Sequence, residues 1–441
     1  MITLARHGLR SIAATRVQAF AALLAVSFPW GALAEEESNW SLNTGVSRSD
    51  NVTRAETDAQ PETILSVGGT IDVKRDGTRA DLSLNVDAHA LHYVDGIFDD
   101  EVIGSGTLGA SFGIVPEAFE WKVNDNFGQS VVETLLPATP ENRENVNVFS
   151  TGPDIAISLA SATTLRFDAR IGSSIYERTQ SDSQSLRGNL ALERELSANN
   201  HASFNLRAAR VEFPDIDNGG YDQQEAFVSW VGKGSRTELS LDLGAGVVHD
   251  GGDSKSSPIA RLDLTRHISK RLSMELSGGV EFISPSERFV RLQESSPDST
   301  EPIDIELTQQ ALREDRVDFG IEYAQSRTQF RMQASFGVER YEQEAGPDRD
   351  HSSFSANFER LITPRISASI FARYERRKFD ASGAEDRTTT AGFLVDLRLL
   401  RTISLQLGLD SSRREADGTA VAGYEEQRAG LIVTYSPRIQ R

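Results

Sequence analysis

The residues best placed for metal or hydrolytic chemistry are His249, Asp250 and Asp253, which lie together in a polar segment of the chain. Barrel hydrolases use a histidine with a serine or an aspartate near the outer rim, and two aspartates around a Gly-Gly pair are a partial calcium-loop pattern. A solvated loop explains the same residues, and it is the favoured interpretation. The segment is therefore kept only as the best catalytic or metal candidate of a weak set.

No other motif strengthens the case for an enzyme. The chain has seven histidines and no cysteine, and it contains neither a Gly-x-Ser-x-Gly elbow nor a His-Glu-x-x-His zinc helix. His89 and His92 are three apart, so on a strand they point to opposite faces and cannot hold one metal ion. The sequence predicts a protein that is not an enzyme, with no catalytic residue, no metal and no cofactor.

The charge balance excludes one class of partner. The formal net charge is -19 and the pI is about 4.9, whereas a nucleic-acid-binding face must be basic. Charged residues of both signs alternate along the polar faces; Asp168, for example, lies between Arg166 and Arg170. Mixed signs indicate a hydrated or braced interior rather than an ion filter, which needs rings of a single charge.

The N-terminal residues have the features of an export signal. Arg6, Arg10 and Arg16 form a basic start, residues 17–28 are apolar, and Ala32 and Ala34 supply a small-x-small cleavage site. The sequence thus predicts a signal peptide over 1–34 and a mature domain over 35–441. A buried N-terminal helix is the alternative.

The mature chain repeats one pattern, an alternation of apolar and polar residues over ten or more positions. It is clear in residues 80–90, 239–247, 330–339 and 403–410. A period of two puts an apolar and a polar face on each strand, and no helical spacing is sustained after residue 34. Strands this long are not typical of soluble propellers or sandwiches, whose strands average about five or six residues. The pattern predicts an all-β fold, a transmembrane antiparallel barrel, located in the outer membrane.

The connections alternate between short turns and long polar loops. Ten long loops and nine short turns give about twenty strands, with eighteen as the next choice, since bacterial barrels prefer even numbers. The loops 128–145 and 284–310 are expected to be the functional elements, one of them folding inward as a constriction or plug. The composition of 294–306 favours a disordered surface loop. We count 249–257 among the long loops.

The last strand resembles the β-signal that the barrel assembly machinery recognises by strand addition. Arg428, Gly430, Val433 and Tyr435 supply the polar, glycine, apolar and aromatic positions, although the chain continues to Arg441 beyond the usual terminal aromatic residue. An ordinary amphipathic strand is the alternative.

Short segments spread over the mature chain resemble the outer-membrane β-barrel proteins associated with exopolysaccharide and exosortase (PEP-CTERM) systems. They are Ser49-Asp50-Asn51-Val52, Asn124-Asp125-Asn126-Phe127-Gly128-Gln129, the stretch from Asn147 to Pro153, and residues 266–272. The resemblance implies a role in moving or anchoring an extracellular polysaccharide, and it transfers no catalytic residue.

We therefore expect a non-enzymatic outer-membrane barrel that serves exopolysaccharide export. A general or substrate-selective porin for small solutes is the second hypothesis, and an outer-membrane hydrolase is the third. The expected partners are outer-membrane lipid, the assembly machinery, polysaccharide and export-system proteins, and not nucleic acid.

Overall fold

A computed structural model describes residues 35–215, 219–250, 253–295, 302–305, 310–341, 348–380, 382–417 and 423–437. The predicted signal peptide, with Ala32 and Ala34, lies outside the described residues, as do the last four residues of the chain. Among the described residues, no helix is both long and apolar enough to cross a membrane.

The described chain forms twenty strands of 12 to 18 residues and two short helices. The strands are β1 (Glu35–Ser49), β2 (Glu62–Asp76), β3 (Ala80–Tyr93), β4 (Glu101–Val115), β5 (Phe119–Val131), β6 (Arg143–Ala160), β7 (Thr163–Tyr176), β8 (Ser183–Ser197), β9 (Asn200–Glu212), β10 (Gly220–Lys233), β11 (Thr237–Asp250), β12 (Asp253–His267), β13 (Leu272–Ile283), β14 (Leu312–Gln325), β15 (Thr328–Tyr341), β16 (Arg349–Thr363), β17 (Ile366–Phe379), β18 (Glu385–Arg398), β19 (Ile403–Asp417) and β20 (Tyr424–Tyr435). The helices are a 3-10 turn at Pro140–Asn142 and an α-helix, α1, at Pro285–Ser295.

Each strand pairs antiparallel with its sequence neighbours, and the first strand pairs with the last. In that closing pair, Leu42 lies opposite Tyr435 and Ser49 lies opposite Arg428. The sheet is therefore a closed barrel in which every strand has a paired neighbour on each side, the arrangement that removes the terminal edges of an open sheet. The predicted strand number of twenty and the predicted all-β barrel are confirmed.

The two ends of the barrel differ in their connections. At one end the strands are joined by two to four residues, and at the other end most connections are longer, the longest running from Ser284 to Ala311. One prediction is wrong here: the segment 249–257 is not a long loop. Strands β11 and β12 continue through it, with Asp250 opposite Asp253. The prediction failed because the paired ends of these two strands carry mostly polar residues, a composition that is typical of loops.

The two faces of the wall have opposite character. Large apolar side chains such as Val67, Val102, Ile171 and Leu409 are 60–68% exposed on the outside. The inner face carries charged and amide groups; Arg261, for example, forms ion pairs with both Glu225 and Asp242. The alternation of the sequence thus becomes an apolar exterior and a polar lumen.

Helix α1 corrects the expectation that no helix follows residue 34. The connection between β13 and β14 enters the barrel instead of extending away from it, because its residues contact the inner face of the wall. With only eleven residues and few apolar positions, the helix leaves a weak periodic signal.

Candidate functional site: a luminal plug

The first residues of α1 encode the start of the helix. The backbone N–H of Ser284 donates to Glu287 Oε2 (2.9 Å), and the backbone N–H of Glu287 donates to Ser284 Oγ (3.1 Å). This reciprocal pair is a capping box, and Pro285 occupies the first helical position, where its missing N–H is not needed. The sequence Ser-Pro-Ser-Glu therefore begins a helix at the point where β13 ends.

Helix α1 is anchored to opposite sides of the barrel. Gln293 Nε2 donates to the carbonyl oxygens of Gly106 on β4 (3.1 Å) and Phe127 on β5 (2.5 Å). Arg291 Nη1 contacts Glu314 Oε2 on β14 (2.6 Å). Strands β4 and β14 are ten positions apart in a ring of twenty, so the helix spans the lumen. We call α1 together with residues 302–305 the plug.

Charge holds the helix on the β13–β16 side. Glu339 is fully buried, and it accepts hydrogen bonds from Arg288 Nη1 (2.8 Å) and Arg349 Nε (2.8 Å). Arg291 contacts two further carboxylates of the wall, Glu314 on β14 and Glu281 on β13, the latter at 2.5 Å. A buried carboxylate is tolerated only when cations and hydrogen bonds compensate its desolvation. Glu339 therefore requires both arginines, one from the plug and one from the wall.

The far end of the plug joins the wall through its backbone. The N–H of Ile303 donates to the carbonyl of Gln129 (2.8 Å), and the N–H of Val131 donates to the carbonyl of Ile303 (3.1 Å). These bonds make a parallel bridge between Ile303 and Ser130. In this part of 294–306, the described residues form specific contacts, in contrast to the surface loop expected from composition.

Asp304 completes the anchoring at this end. Its carboxylate contacts Arg377, and Arg349 Nη1 lies 3.3 Å from Asp304 Oδ1. Burial raises the pKa of Asp304, but the charges of Arg377 and Arg349 outweigh burial and lower its pKa to about 2. Asp304 is therefore ionised throughout the neutral range.

An apolar cluster fills the space between helix and wall. Phe289 has no exposed surface, and it packs with Val146 and Tyr176 of the wall and with Ile305 of the plug. Complete burial of one such side chain contributes about 1.5–3 kcal/mol. At Gly128, a Cβ atom would lie 3.3 Å from the Phe289 ring, so the small residue on β5 permits the close approach of α1.

A second long loop covers part of the same end. Arg414 Nη2 donates to the carbonyl of Leu135 (3.1 Å) and to Asp386 Oδ2 (2.5 Å), and Arg377 also contacts Asp386 (2.7 Å). The loop 132–142 is thereby attached to the inner face of β18 and β19. Of the two loops singled out from sequence, 284–310 supplies the residues that cross the lumen, as expected for one of them.

The short-turn end of the lumen has a different lining. A cavity of about 550 Å³ opens there. Its lumen-facing side chains are mostly hydroxyl, amide and carboxylate groups: Asn39, Ser41, Thr70, Asp72, Asn85 and Asp87. Such groups exchange hydrogen bonds with water and with polyhydroxylated molecules.

The residues proposed for an assembly signal lie on the closing strand. Arg428 contacts Asp410, Gly430 lies opposite Ser47, and the ring of Tyr435 meets that of Trp40 edge-on at 5.9 Å. Val433 lies opposite Thr44. These positions show how β20 closes the barrel, and their role in assembly stays a prediction.

Each described histidine of the sequence analysis pairs with at most one carboxylate. His249 is exposed at the end of β11, while Gly251, Gly252 and the side chain of Asp253 lie outside the described residues. His89 pairs with Asp87 (2.6 Å), whereas His92 pairs with Asp100 (2.8 Å). No group of three His, Asp or Glu residues able to hold a metal ion occurs within the described ranges.

Comparisons with known proteins give structural likeness only. No protein-family model matches the sequence, and no curated protein sequence matches it. One solved structure that resembles the chain is the copper transporter OprC, at 11% identity over 91% of this chain and 83% of that chain, with a TM-score of 0.45. Another is the FrpB iron transporter from Neisseria meningitidis, at 10% identity over 90% of this chain and 81% of that chain, with a TM-score of 0.47. OpdQ from Pseudomonas aeruginosa is similar over 91% of this chain and 98% of that chain, at 9% identity and a TM-score of 0.38. Likeness at this level transfers no function.

Replacing Glu339 by glutamine is expected to loosen the plug. The change leaves Arg288 and Arg349 together without their shared carboxylate, and breaking a buried pair in this way costs about 3–5 kcal/mol. Amide hydrogen exchange across 285–295 should accelerate by about two to four orders of magnitude. The control is Glu415→Gln, which removes an exposed ion pair with Arg413 at the same end of the barrel and should change exchange little. Equal exchange in both variants would show that Glu339 does not hold the plug.

The attachment of the plug is expected to weaken in acid. Because the pKa of Asp304 is lowered from 3.8 to about 2 in the closed barrel, its stabilising effect is complete above about pH 4 and is lost as the pH falls from about 4 to 2. A nitroxide on Glu294→Cys, in a chain that has no cysteine of its own, should stay immobile from pH 8 to 4 and gain mobility below pH 4. Adding Asp304→Asn should abolish that acid transition. An unchanged transition in the double variant would assign it to other groups.

Proposed function

We propose that this protein is a gated outer-membrane channel whose lumen is closed by the plug, and that its cargo is a flexible polysaccharide. The observation that carries the proposal is the combination of a closed barrel, an apolar exterior and a helix that crosses a polar lumen. Each part has its own physical argument.

The outer surface supports location in a lipid bilayer. Large apolar residues such as Ile171, Val228 and Leu409 are exposed in the middle of their strands, and contiguous apolar surface on this scale is not stable in water. Within hydrocarbon every backbone polar group must be paired inside the protein, and a closed barrel meets that condition. By analogy with bacterial barrels, the short turns face the periplasm and the long loops face outward.

The lumen supports passage of a polar molecule. A barrel of twenty strands is wide enough for an aqueous channel unless something fills it, and here the filling is concentrated near the long-loop end. The cavity at the short-turn end, lined by groups such as Asn39, Ser41 and Thr70, gives a hydrated entrance on the periplasmic side. Such an entrance suits a substrate that arrives from inside the cell envelope.

The plug supports gating rather than permanent closure. Besides the apolar cluster around Phe289, its attachments are ion pairs and side-chain hydrogen bonds, and the described part of the connection has few backbone bonds to the wall, those at Ile303 among them. Contacts of this kind can be exchanged for water or for sugar hydroxyl groups without unfolding any strand. The barrel can therefore stay intact while the plug moves.

The polysaccharide cargo rests on the resemblance of short sequence segments to exopolysaccharide-associated barrels. The hydroxyl- and amide-rich entrance is compatible with it, because these side chains bond sugar hydroxyl groups without requiring a particular charge. A porin for small solutes would use the same lining, so the cargo has to be distinguished by experiment.

Cross-linking the plug to the wall tests the gate. A Cβ atom at Gly128 would lie 3.5 Å from Gln293 Nε2, so Gly128→Cys and Gln293→Cys place two thiols within reach of a short cross-linker that a reductant cleaves. In producing cells, the linked double variant should stop exporting the polymer, and reduction should restore export. Each single variant, treated with the same reagent, controls for the loss of the Gln293 hydrogen bonds.

The outcomes separate the hypotheses. Loss of polymer export on linking, with small-solute uptake unchanged, supports an export gate. Loss of solute uptake with unchanged polymer secretion would favour the porin. If linking changes neither flux, the plug does not gate a channel and the proposal fails.

A further inference from the structure

The plug takes the place of a wall strand at one position of the ring. One edge of β5 pairs with β6 along the whole length of β5. The other edge pairs with β4, but this pairing ends at Phe127, which lies opposite Gly106. Beyond that point the edge of β5 is bonded by Ile303 of the plug, in the parallel bridge described above. We call residues 101–105 of β4 and 128–131 of β5 the seam.

The plug and β4 compete for the same backbone groups of β5. Ile303 bonds the carbonyl oxygen of Gln129 and the N–H of Val131. If the register of β4 and β5 continued beyond its last pair, Gly104 would lie opposite Gln129. Val102 would then lie opposite Val131. The same carbonyl and N–H would bond these two residues, so the seam can pair only after Ile303 has left.

The sequence of the seam is suited to strand pairing. Neither 101–105 nor 128–131 contains proline, and the continued register places Ile103 opposite Ser130, with both side chains on the lumen-facing side. The parting between β12 and β13 differs in this respect. Beyond its last pair with β13, β12 carries Pro258, which has no N–H to donate to a ladder. The seam is therefore better suited to closing than the parting at β12.

The parted seam leaves buried polar atoms without hydrogen bonds. Among the described residues, four such atoms belong to the seam and to the plug residue bonded there: Ser105 Oγ, Ser130 Oγ, Gln129 Oε1 and Gln293 Oε1. Each of the four residues is less than a tenth exposed, and burial of an unpaired polar group costs free energy. Ser105 and Ser130 face the lumen, so departure of the plug returns their hydroxyl groups to water. Anchors elsewhere, such as Glu339, therefore hold the plug against a cost at the seam.

We propose that β4 and β5 pair along the seam when the plug leaves, so that the wall closes behind the moving gate. This rests on the proposed function, in which the plug leaves the lumen. The backbone groups of β5 that Ile303 vacates need a new partner, and β4 is the neighbour in matching register. Pairing of the seam also blocks the return of Ile303. The gate thus has two discrete states, one with the plug bound and the seam parted, the other with the plug released and the seam paired.

Cysteine cross-linking tests the paired seam. Ile103 and Ser130 would form a non-hydrogen-bonded pair there, with their Cα atoms about 4.5 Å apart, which suits a disulfide. With Ile303 between the strands, two spacings of about 4.8 Å separate them, and a disulfide cannot span more than about 7 Å. In the full chain, which has no cysteine of its own, Ile103→Cys with Ser130→Cys should therefore oxidise slowly. Adding Glu339→Gln, which loosens the plug, should speed oxidation by about tenfold or more, since the rate follows the fraction of barrels whose plug has left.

Two further cysteine pairs control the geometry. Thr107→Cys with Asn126→Cys lies in the part of β4 and β5 that is already paired, so it should oxidise readily with or without Glu339→Gln. Ile103→Cys with Val131→Cys places the thiols on opposite faces of the paired seam, so it should stay reduced in both backgrounds.

The plug can also be removed outright, in a chain in which a short Gly-Ser linker joins Ile283 to Ala311. Fast oxidation of the seam with the plug loosened or removed, and slow oxidation with the plug in place, supports the proposal. Slow oxidation in all three chains, or equally fast oxidation in all three, would overturn it. Conductance of the same barrels reports on the channel separately. A conducting shortened barrel whose seam stays reduced contradicts the seam alone, whereas a silent shortened barrel whose seam is oxidised contradicts the channel alone.

Discussion

The constraint on which the rest of the structure depends is the pairing of backbone hydrogen bonds around a closed ring. Because β1 pairs with β20, the wall has no terminal edge, and its exterior can be apolar throughout. Elements that cannot satisfy their polar groups in lipid must lie in the lumen or beyond the ends of the strands. The helix α1, the buried carboxylate of Glu339 and its arginines all lie inside. Pairing stops short between β12 and β13, where the chain enters the lumen, and also between β4 and β5, where it ends at Gly106 opposite Phe127 and Gln293 of the helix bonds both carbonyl oxygens.

Two kinds of interaction share the work of holding the plug. Phe289 and the apolar residues around it contribute hydrophobic packing, which is not directional. Arg288, Arg291 and Gln293 form directional ion pairs and hydrogen bonds, and these fix the orientation of the helix across the lumen. Electrostatic anchors of this type are costly to break when one partner is removed, because the other is then left buried without a partner. The proposed gate requires that the plug leave the lumen while the strands stay paired.

The architecture could be predicted from the sequence because it depends on a local signal. Alternation along segments such as 330–339 gives both the strand and its lumen-facing side, and the spacing of turns gives the number of strands. The inward helix was harder to detect, although Ser284 and Glu287 form a capping box and Arg288 and Arg291 share a helical face. Its wall partners could not be predicted, since Glu339 is 51 residues from Arg288 and Gly106 is 187 residues from Gln293. The pairing of β11 with β12 as far as Asp250 and Asp253 was not predicted, because polar residues continue these strands beyond the apolar band.

The most direct test of the central claim, that the plug closes a hydrated pore, is the conductance of single barrels in planar bilayers. The intact chain is compared with a chain in which a short Gly-Ser linker joins Ile283 to Ala311 in place of 284–310. The account predicts small or no conductance for the intact barrel and a large, stable conductance for the shortened one, with both remaining folded as judged by heat-modifiable migration. A folded but silent shortened barrel, or equal large conductance in both, would contradict it.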